Sequence, residues 1–240
     1  MSSRARQKQA ARVVREQMAR ERRRRRTTWI SVAAIAVLLI AGLIGFAVWR
    51  SDGSTGYATP AGITDDGGTD SGIVAAGSGP VTVEVYLDFL CPACKQFEAE
   101  ANPVLDQLVA ENRIRLVWHP LGFLDRLSSS PGYSTQAAAA AGCAADEGKL
   151  KAFGDALFAR QPAEGGPGLS DDEIIEIGGE VGLITPSFAQ CVRDGTYRGW
   201  VDHVTNEAAR RGVTATPTVF VDGVQVNPTG AEIAAAVASR

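Results

Sequence analysis

The sequence predicts an α/β domain with an all-helical insertion, preceded by a single transmembrane helix. Three observations predict it. Residues 27–49 form an uncharged, mostly apolar run. From residue 73 onward, strand-like and helix-like stretches follow one another in the order β-α-β, helical block, β-β-α. Residues 128–211, between the second and third of those strands, read as helices broken by Gly, Pro and Ser.

Residues 1–28 carry eleven Arg or Lys and two Glu, whereas residues 51–240 carry twelve basic and twenty-five acidic side chains, a net charge of −13. The overall charge of −3 therefore joins a basic head to an acidic body, which suggests two environments. Residues 27–49 are long enough, at 1.5 Å per residue, to cross a hydrocarbon core about 30 Å thick. Trp29 and Trp49 stand near its ends, where indoles favour the headgroup layer. Five arginines, Arg22 to Arg26, precede the run and only Arg50 follows. The positive-inside bias keeps the basic residues 1–26 cytoplasmic and exports the residues after about 50. The run is too long for a signal peptide and ends in Ala47-Val48-Trp49-Arg50, a poor cleavage site, so an uncleaved anchor in membrane lipid is expected. The basic head is read as an orientation signal that touches anionic lipid, with no nucleic acid as partner. Residues 50–72 are rich in Gly, Ser, Thr and Asp and read as a flexible tether.

The domain is expected over residues 73–240. Val81 to Leu87 alternates at period two, as a strand does. Pro92 opens a helix, its missing N–H being one that has no partner in a first turn. Phe97, Val104, Leu105, Leu108 and Val109 supply the apolar face, with a kink expected at Asn102-Pro103. Ile114 to His119 is the second strand, ended by Pro120. In the helical block, Ser170 and Glu173 have the spacing of a capping box. Thr216 to Val221 is a strand, Asp222-Gly223 a tight turn, Val224 to Val226 the returning strand, and Ala231 to Ser239 a closing helix.

The chemistry centres on Cys91-Pro92-Ala93-Cys94. Strand end, short loop and helix start place Cys91 at the N-cap and Cys94 at the third helical residue. A thiolate at Cys91 would face the unpaired amides of Ala93 and Cys94 and the positive end of the helix dipole. Both favour the thiolate, and Cys-X-X-Cys thiols at helix starts titrate low. Cys94, one turn in, should be covered and act as the resolving sulfur. Phe89, Leu90 and Phe97 flank the pair as an apolar shoulder, expected to be partly core and partly exposed to clients. A zinc site would need a second close pair, but Cys143 and Cys191 stand apart, as do His119 and His203, so no metal is expected. A structural disulfide closing so short a loop would restrain little. A redox-active pair is the reading that remains.

The runs YLDFLCPACKQFEAEANP, RLVWHPLGF, AAAAAGCAADEGKLKAFGDALF and GVTATPTVFVDG resemble the DsbA-like family of thioredoxin-fold disulfide oxidoreductases, in particular its membrane-anchored actinobacterial members. The resemblance covers residues 73–240 and implies a thioredoxin fold. It implies a cis bond at Thr216-Pro217 beside the dithiol, where the Thr216 backbone would receive an extended client segment. It implies thiol–disulfide exchange at Cys91 with Cys94 as partner, tuned by Pro92 and Ala93, and no organic cofactor. Clients would be exported cysteine-containing proteins. Reoxidation would fall to a quinone-linked membrane partner of the DsbB or vitamin-K-epoxide-reductase-like type. Strong oxidants of the family often carry His where Ala93 stands, so a milder oxidant is expected. Thioredoxins carry a buried carboxylate where Val85 stands, and Glu84 points to the opposite face in a period-two strand.

Cys143 and Cys191 both fall in the insertion. A structural disulfide between them suits an exported domain; two separate buried thiols are the alternative. Three functions stay open on sequence alone. These are an extracytoplasmic oxidase of cysteine pairs in exported proteins, an extracytoplasmic reductase, and a membrane-tethered binding or sensing module without turnover.

Overall fold

The computed structural model describes residues 56–64 and 71–240. The basic head, the apolar run 27–49 and part of the tether lie outside these residues. Among the described residues no helix is long and apolar enough to cross a membrane.

Six strands form one sheet: β1 (Ile63–Thr64), β2 (Gly72–Ala76), β3 (Val81–Leu87), β4 (Ile114–Pro120), β5 (Thr218–Val221) and β6 (Val224–Val226), in the spatial order β1-β2-β4-β3-β5-β6. β3 and β4 are parallel, as the crossover through helix α1 (Pro92–Ala110) requires, and the other neighbours are antiparallel. Val83, Val85 and Leu87 are fully buried, and the pleat sends Thr82, Glu84 and Tyr86 to the other face. α1 runs on through Pro103 and packs against the closing helix α7 (Gly230–Ala238).

The fold starts earlier than Ile73. Within the stretch expected as a tether, β1 pairs with β2, Tyr57 stacks on His203 with ring centroids 5.0 Å apart, and the Ala61 N–H donates to Asp146. Composition hid this, because such a short strand is defined by its neighbour and not by its own pattern.

The insertion contains α2 (Tyr133–Asp146), α3 (Leu150–Ala159), α4 (Asp171–Glu180), α5 (Pro186–Asp194) and α6 (Arg198–Arg210). α2 is built almost wholly of buried small residues, Ala137 to Ala141 among them, so its neighbours approach closely. α3 seats on β4 in the same way: a Cβ added at Gly154 would lie 2.3 Å from Trp118 Cζ3. The capping box at α4 is formed, with Ser170 N–H donating to Glu173 Oε2 at 2.8 Å and Glu173 N–H to Ser170 Oγ at 3.3 Å. Asp222 (φ 46°) and Gly223 (φ 76°) both take left-handed backbone, the combination that a two-residue hairpin turn requires.

Cys143 and Cys191 are joined by a disulfide that ties α2 to α5 across 48 residues. Closing a loop of that length removes unfolded-state freedom worth roughly 2–4 kcal/mol. Replacing both cysteines by Ser should lower the unfolding free energy by that amount. Chemical denaturation of the double variant beside the parent checks it, and equal midpoints would mean the bond restrains nothing.

Candidate active site

The short connection after β3 delivers the dithiol to the start of α1. Cys91 is the N-cap (φ −73°, ψ 116°), Pro92 the first helical residue, and Cys94 the third. The Cys94 and Lys95 N–H groups both donate to the Cys91 carbonyl, which closes the first turn. Cys91 is 7 % exposed and Cys94 fully buried, and both are free thiols. Only one sulfur can therefore be reached from solvent.

The two thiols are driven apart in acidity. The Cys94 thiol donates to Cys91, and this is the largest influence bringing Cys91 down to about 6. Burial opposes it, while the Thr216 side chain and the N–H groups of Cys94 and Ala93 assist. Cys94 moves the other way, raised by burial and by the charge of Cys91. One sulfur is an accessible thiolate at neutral pH, and its neighbour keeps its proton.

The second wall comes from the loop before β5. The Thr216-Pro217 peptide bond is cis, and the carbonyl oxygen of Thr216 lies 3.4 Å from Cys91 Sγ. Cys91, Thr214, Ala215, Thr216, Phe123, Leu124 and Glu164 line a cavity of about 580 Å³. Cys91, Pro92, Ala93, Cys94, Thr216 and Pro217 are thus gathered by two loops, while Cys143 and Cys191 form their bond within the insertion.

Phe89, Leu90 and Phe97, read from sequence as a partly exposed shoulder for clients, are buried at 0 %, 0 % and 4 % exposure. The apolar rim is instead supplied by Phe123 and Leu124, which follow β4. Three further residues escaped the sequence reading. Asp88, fully buried, accepts from Leu90 N–H and Leu124 N–H, both at 2.9 Å, so one carboxylate fastens the dithiol loop to the rim. Burial pushes it up to about 6, against the pull of those two N–H groups and with the charge of Cys91 adding to the rise. Gln161 Nε2 donates to the carbonyls of Phe89 and Cys91 at 3.0 and 2.9 Å, pinning the loop from the insertion side. Glu98, one helical turn beyond Cys94, is buried with no hydrogen bond to either carboxyl oxygen, and burial pushes it up to about 7.

Glu84 has a different task. Arg211 Nη1 and Nη2 donate to its two carboxyl oxygens at 2.5 and 2.9 Å, and His119 Nε2 lies 3.4 Å away. Burial works against the charge, but the nearby His119 ring and the hydrogen-bonded Arg211 guanidinium outweigh it and hold the carboxyl down at about 2. An ion-paired carboxylate on the far face of β3 is not a proton acceptor for the dithiol.

A family model described as thioredoxin matches residues 73–238. The chain is 34 % identical to the reduced disulfide bond oxidoreductase DsbG of Mycobacterium tuberculosis, with a TM-score of 0.57 over 70 % of this chain and 78 % of that one. It belongs to the DsbA-like branch of the thioredoxin family. Oxidised DsbA of the same organism is 31 % identical at a TM-score of 0.56, covering 70 % of this chain and 98 % of that one. Among curated relatives, the serine/threonine-protein kinase PknE of M. tuberculosis is 31 % identical over 166 residues, which is 65 % of this chain and 29 % of the kinase. The chain thus spans less than a third of that relative. As a DsbA-like protein this chain is a thiol–disulfide oxidoreductase.

Proposed function

We propose that the chain is an extracytoplasmic thiol oxidase, anchored through residues 27–49, that uses Cys91 and Cys94 to introduce disulfides into exported proteins. The observation that carries this reading is the asymmetry of the pair, an accessible thiolate held near 6 beside a buried thiol held high. With Cys91–Cys94 oxidised, a client thiolate attacks Cys91 Sγ and forms a mixed disulfide. The Cys94 sulfur leaves and takes a proton, as its raised affinity favours. A second client thiolate attacks the client sulfur, and Cys91 departs as a thiolate that its surroundings already stabilise. Two electrons have passed from client to enzyme. A quinone-linked membrane protein of the DsbB or vitamin-K-epoxide-reductase-like type would remove them, with the anchor keeping the two close. The backbone at Thr216 lies where an extended client segment can pair alongside Cys91.

Direction follows from how strongly the reduced state is favoured. A Cys91 near 6 lies between the thioredoxin value of about 7 and the DsbA value of about 3.5. Equilibration of the full chain with glutathione should give a potential between about −270 mV and about −120 mV. A result at or below the thioredoxin figure would make the chain a reductase. The kinase match supports a second reading, a tethered module that senses clients without turnover. Failure of the oxidised chain to speed refolding of a reduced client, with client binding retained, would select it.

A further inference from the structure

The groove beside Cys91 does not end at the rim. A second concavity of about 470 Å³, lined by Arg126, Leu127, Ser128, Ser129, Glu164 and Gly165, shares Glu164 with the cavity that holds Cys91. The two are therefore neighbours that meet at Glu164. Leu127, 47 % exposed, is one of few large apolar side chains left open among the described residues.

Glu164 sits on a segment fastened at both ends. Gln161 ties its start to the carbonyls of Phe89 and Cys91. Past Glu164, Gly165 N–H donates to Leu127 O at 2.6 Å, Ser129 N–H to Gly166 O at 3.0 Å, Ser128 Oγ to Gly166 O at 3.2 Å, and Gly168 N–H to Ser130 Oγ at 3.2 Å. Gly165 makes the turn in left-handed backbone (φ 79°). The backbone under Glu164 is thus held in place before a client arrives, so little ordering remains to be done at binding. The carboxylate itself is exposed and makes no ion pair within 4 Å among the described residues. Arg126 borders only the distal concavity, so in the oxidised protein, where Cys91 carries no charge, Glu164 is the one charged side chain among the described residues lining the mouth, and that charge is negative.

Deepening the oxidase reading on which it rests, we infer that this two-part groove selects client segments in which a basic residue flanks the reacting cysteine, with Glu164 as the specificity-determining residue. A cation beside the client cysteine meets Glu164 and also favours the client thiolate that must attack Cys91. An acidic neighbour is repelled by Glu164 and holds its own thiol protonated. Apolar client residues rest on Phe123 and Leu124 beside Cys91 and on Leu127 beyond Glu164. Exposed ion pairs are weak and screened by salt, so the preference is modest and depends on ionic strength.

Two reduced dithiol peptides that differ only in Arg or Glu beside one cysteine provide the test, with oxidation by the full, oxidised chain read as kcat/KM at low salt. The Arg peptide should lead by about three- to ten-fold. Part of any lead comes from the peptide's own thiol acidity, so the decisive figure is the change made by the enzyme. Glu164→Gln should cut the ratio about two- to five-fold, Glu164→Lys should cut it further, and high salt should shrink the wild-type ratio toward that of Glu164→Gln. An unchanged ratio in both variants, with both peptides still oxidised, would overturn the role of Glu164 and leave the oxidase reading standing. Oxidation of neither peptide would reject the oxidase reading and this inference together.

Discussion

Cys91→Ser should abolish thiol–disulfide exchange, with a loss of at least about a thousand-fold, because Cys94, the other free cysteine, is fully buried. The Cys94 variants separate two contributions that the wild type combines. Cys94→Ser and Cys94→Ala both leave Cys91 able to take a client sulfur from a client disulfide, and both lack the thiol that would release it. Mixed disulfides should therefore accumulate and survive non-reducing electrophoresis. The two variants differ in acidity. The hydrogen bond from Cys94 is the largest influence lowering Cys91, and a Ser hydroxyl can still donate where an Ala methyl cannot. A hydrogen bond to a charged acceptor is worth about 1.5–3 kcal/mol, which corresponds to one to two pH units. Thiolate absorbance of the reduced proteins should give a midpoint near 6 for wild type and close to that for Cys94→Ser. Cys94→Ala should sit one to two pH units higher. Equal midpoints in the Ser and Ala variants would mean that the helix start alone sets the acidity of Cys91.

The dithiol was legible in sequence because its environment is local. An N-cap cysteine followed by Pro at the first helical position is written within four consecutive residues, and its backbone donors come from the same turn. The capping box at Ser170 and the Asp222-Gly223 turn are local in the same sense. What sequence did not reveal depends on contacts between distant segments. Asp88 gives a local sign, an acidic side chain bonding the N–H two residues on, but its second partner Leu124 lies 36 residues away. Gln161 and Glu164 belong to a loop whose composition says only that it is a loop, and their meaning comes from being fastened to the dithiol. Phe89, Leu90 and Phe97 read as part core and part client surface because an apolar residue near a reactive group looks alike whether it faces the client or the core. All three are core, and Phe89 packs on Phe158 of the insertion with ring centroids 4.9 Å apart.

Asp88→Asn should make the reduced protein respond to pH in the opposite sense to an ordinary loss of a buried hydrogen bond. The folded state holds the Asp88 proton up to about 6, above its usual 3.8, so wild-type stability is intact below about pH 4 and falls as pH rises through 6. The rise from 3.8 to about 6 corresponds to roughly 3 kcal/mol, the cost of keeping a fully buried carboxylate ionised at neutral pH. Asn avoids that cost. It keeps one acceptor oxygen, and its amide group faces a second N–H that wants an acceptor, a loss of about 1–3 kcal/mol at every pH. Near pH 4.5 the loss dominates and Asp88→Asn should be the less stable protein. Near pH 8 the two contributions offset, and the variant should equal or exceed wild type. Asp88→Ala removes both acceptors, orphans the Leu90 and Leu124 N–H groups, and should be destabilised at pH 4.5 with no comparable advantage from a retained acceptor at pH 8. Removing the negative charge also eases ionisation of Cys91, so its thiolate midpoint should fall below about 6 in Asp88→Asn and the potential should become more oxidising. Urea denaturation of the reduced proteins at pH 4.5 and pH 8, with thiolate absorbance on the same samples, checks both halves. A stability gap that does not close between those two pH values would show that Asp88 is not ionised at a cost. In that case the carboxyl holds the loop to the rim without opposing the charge on Cys91.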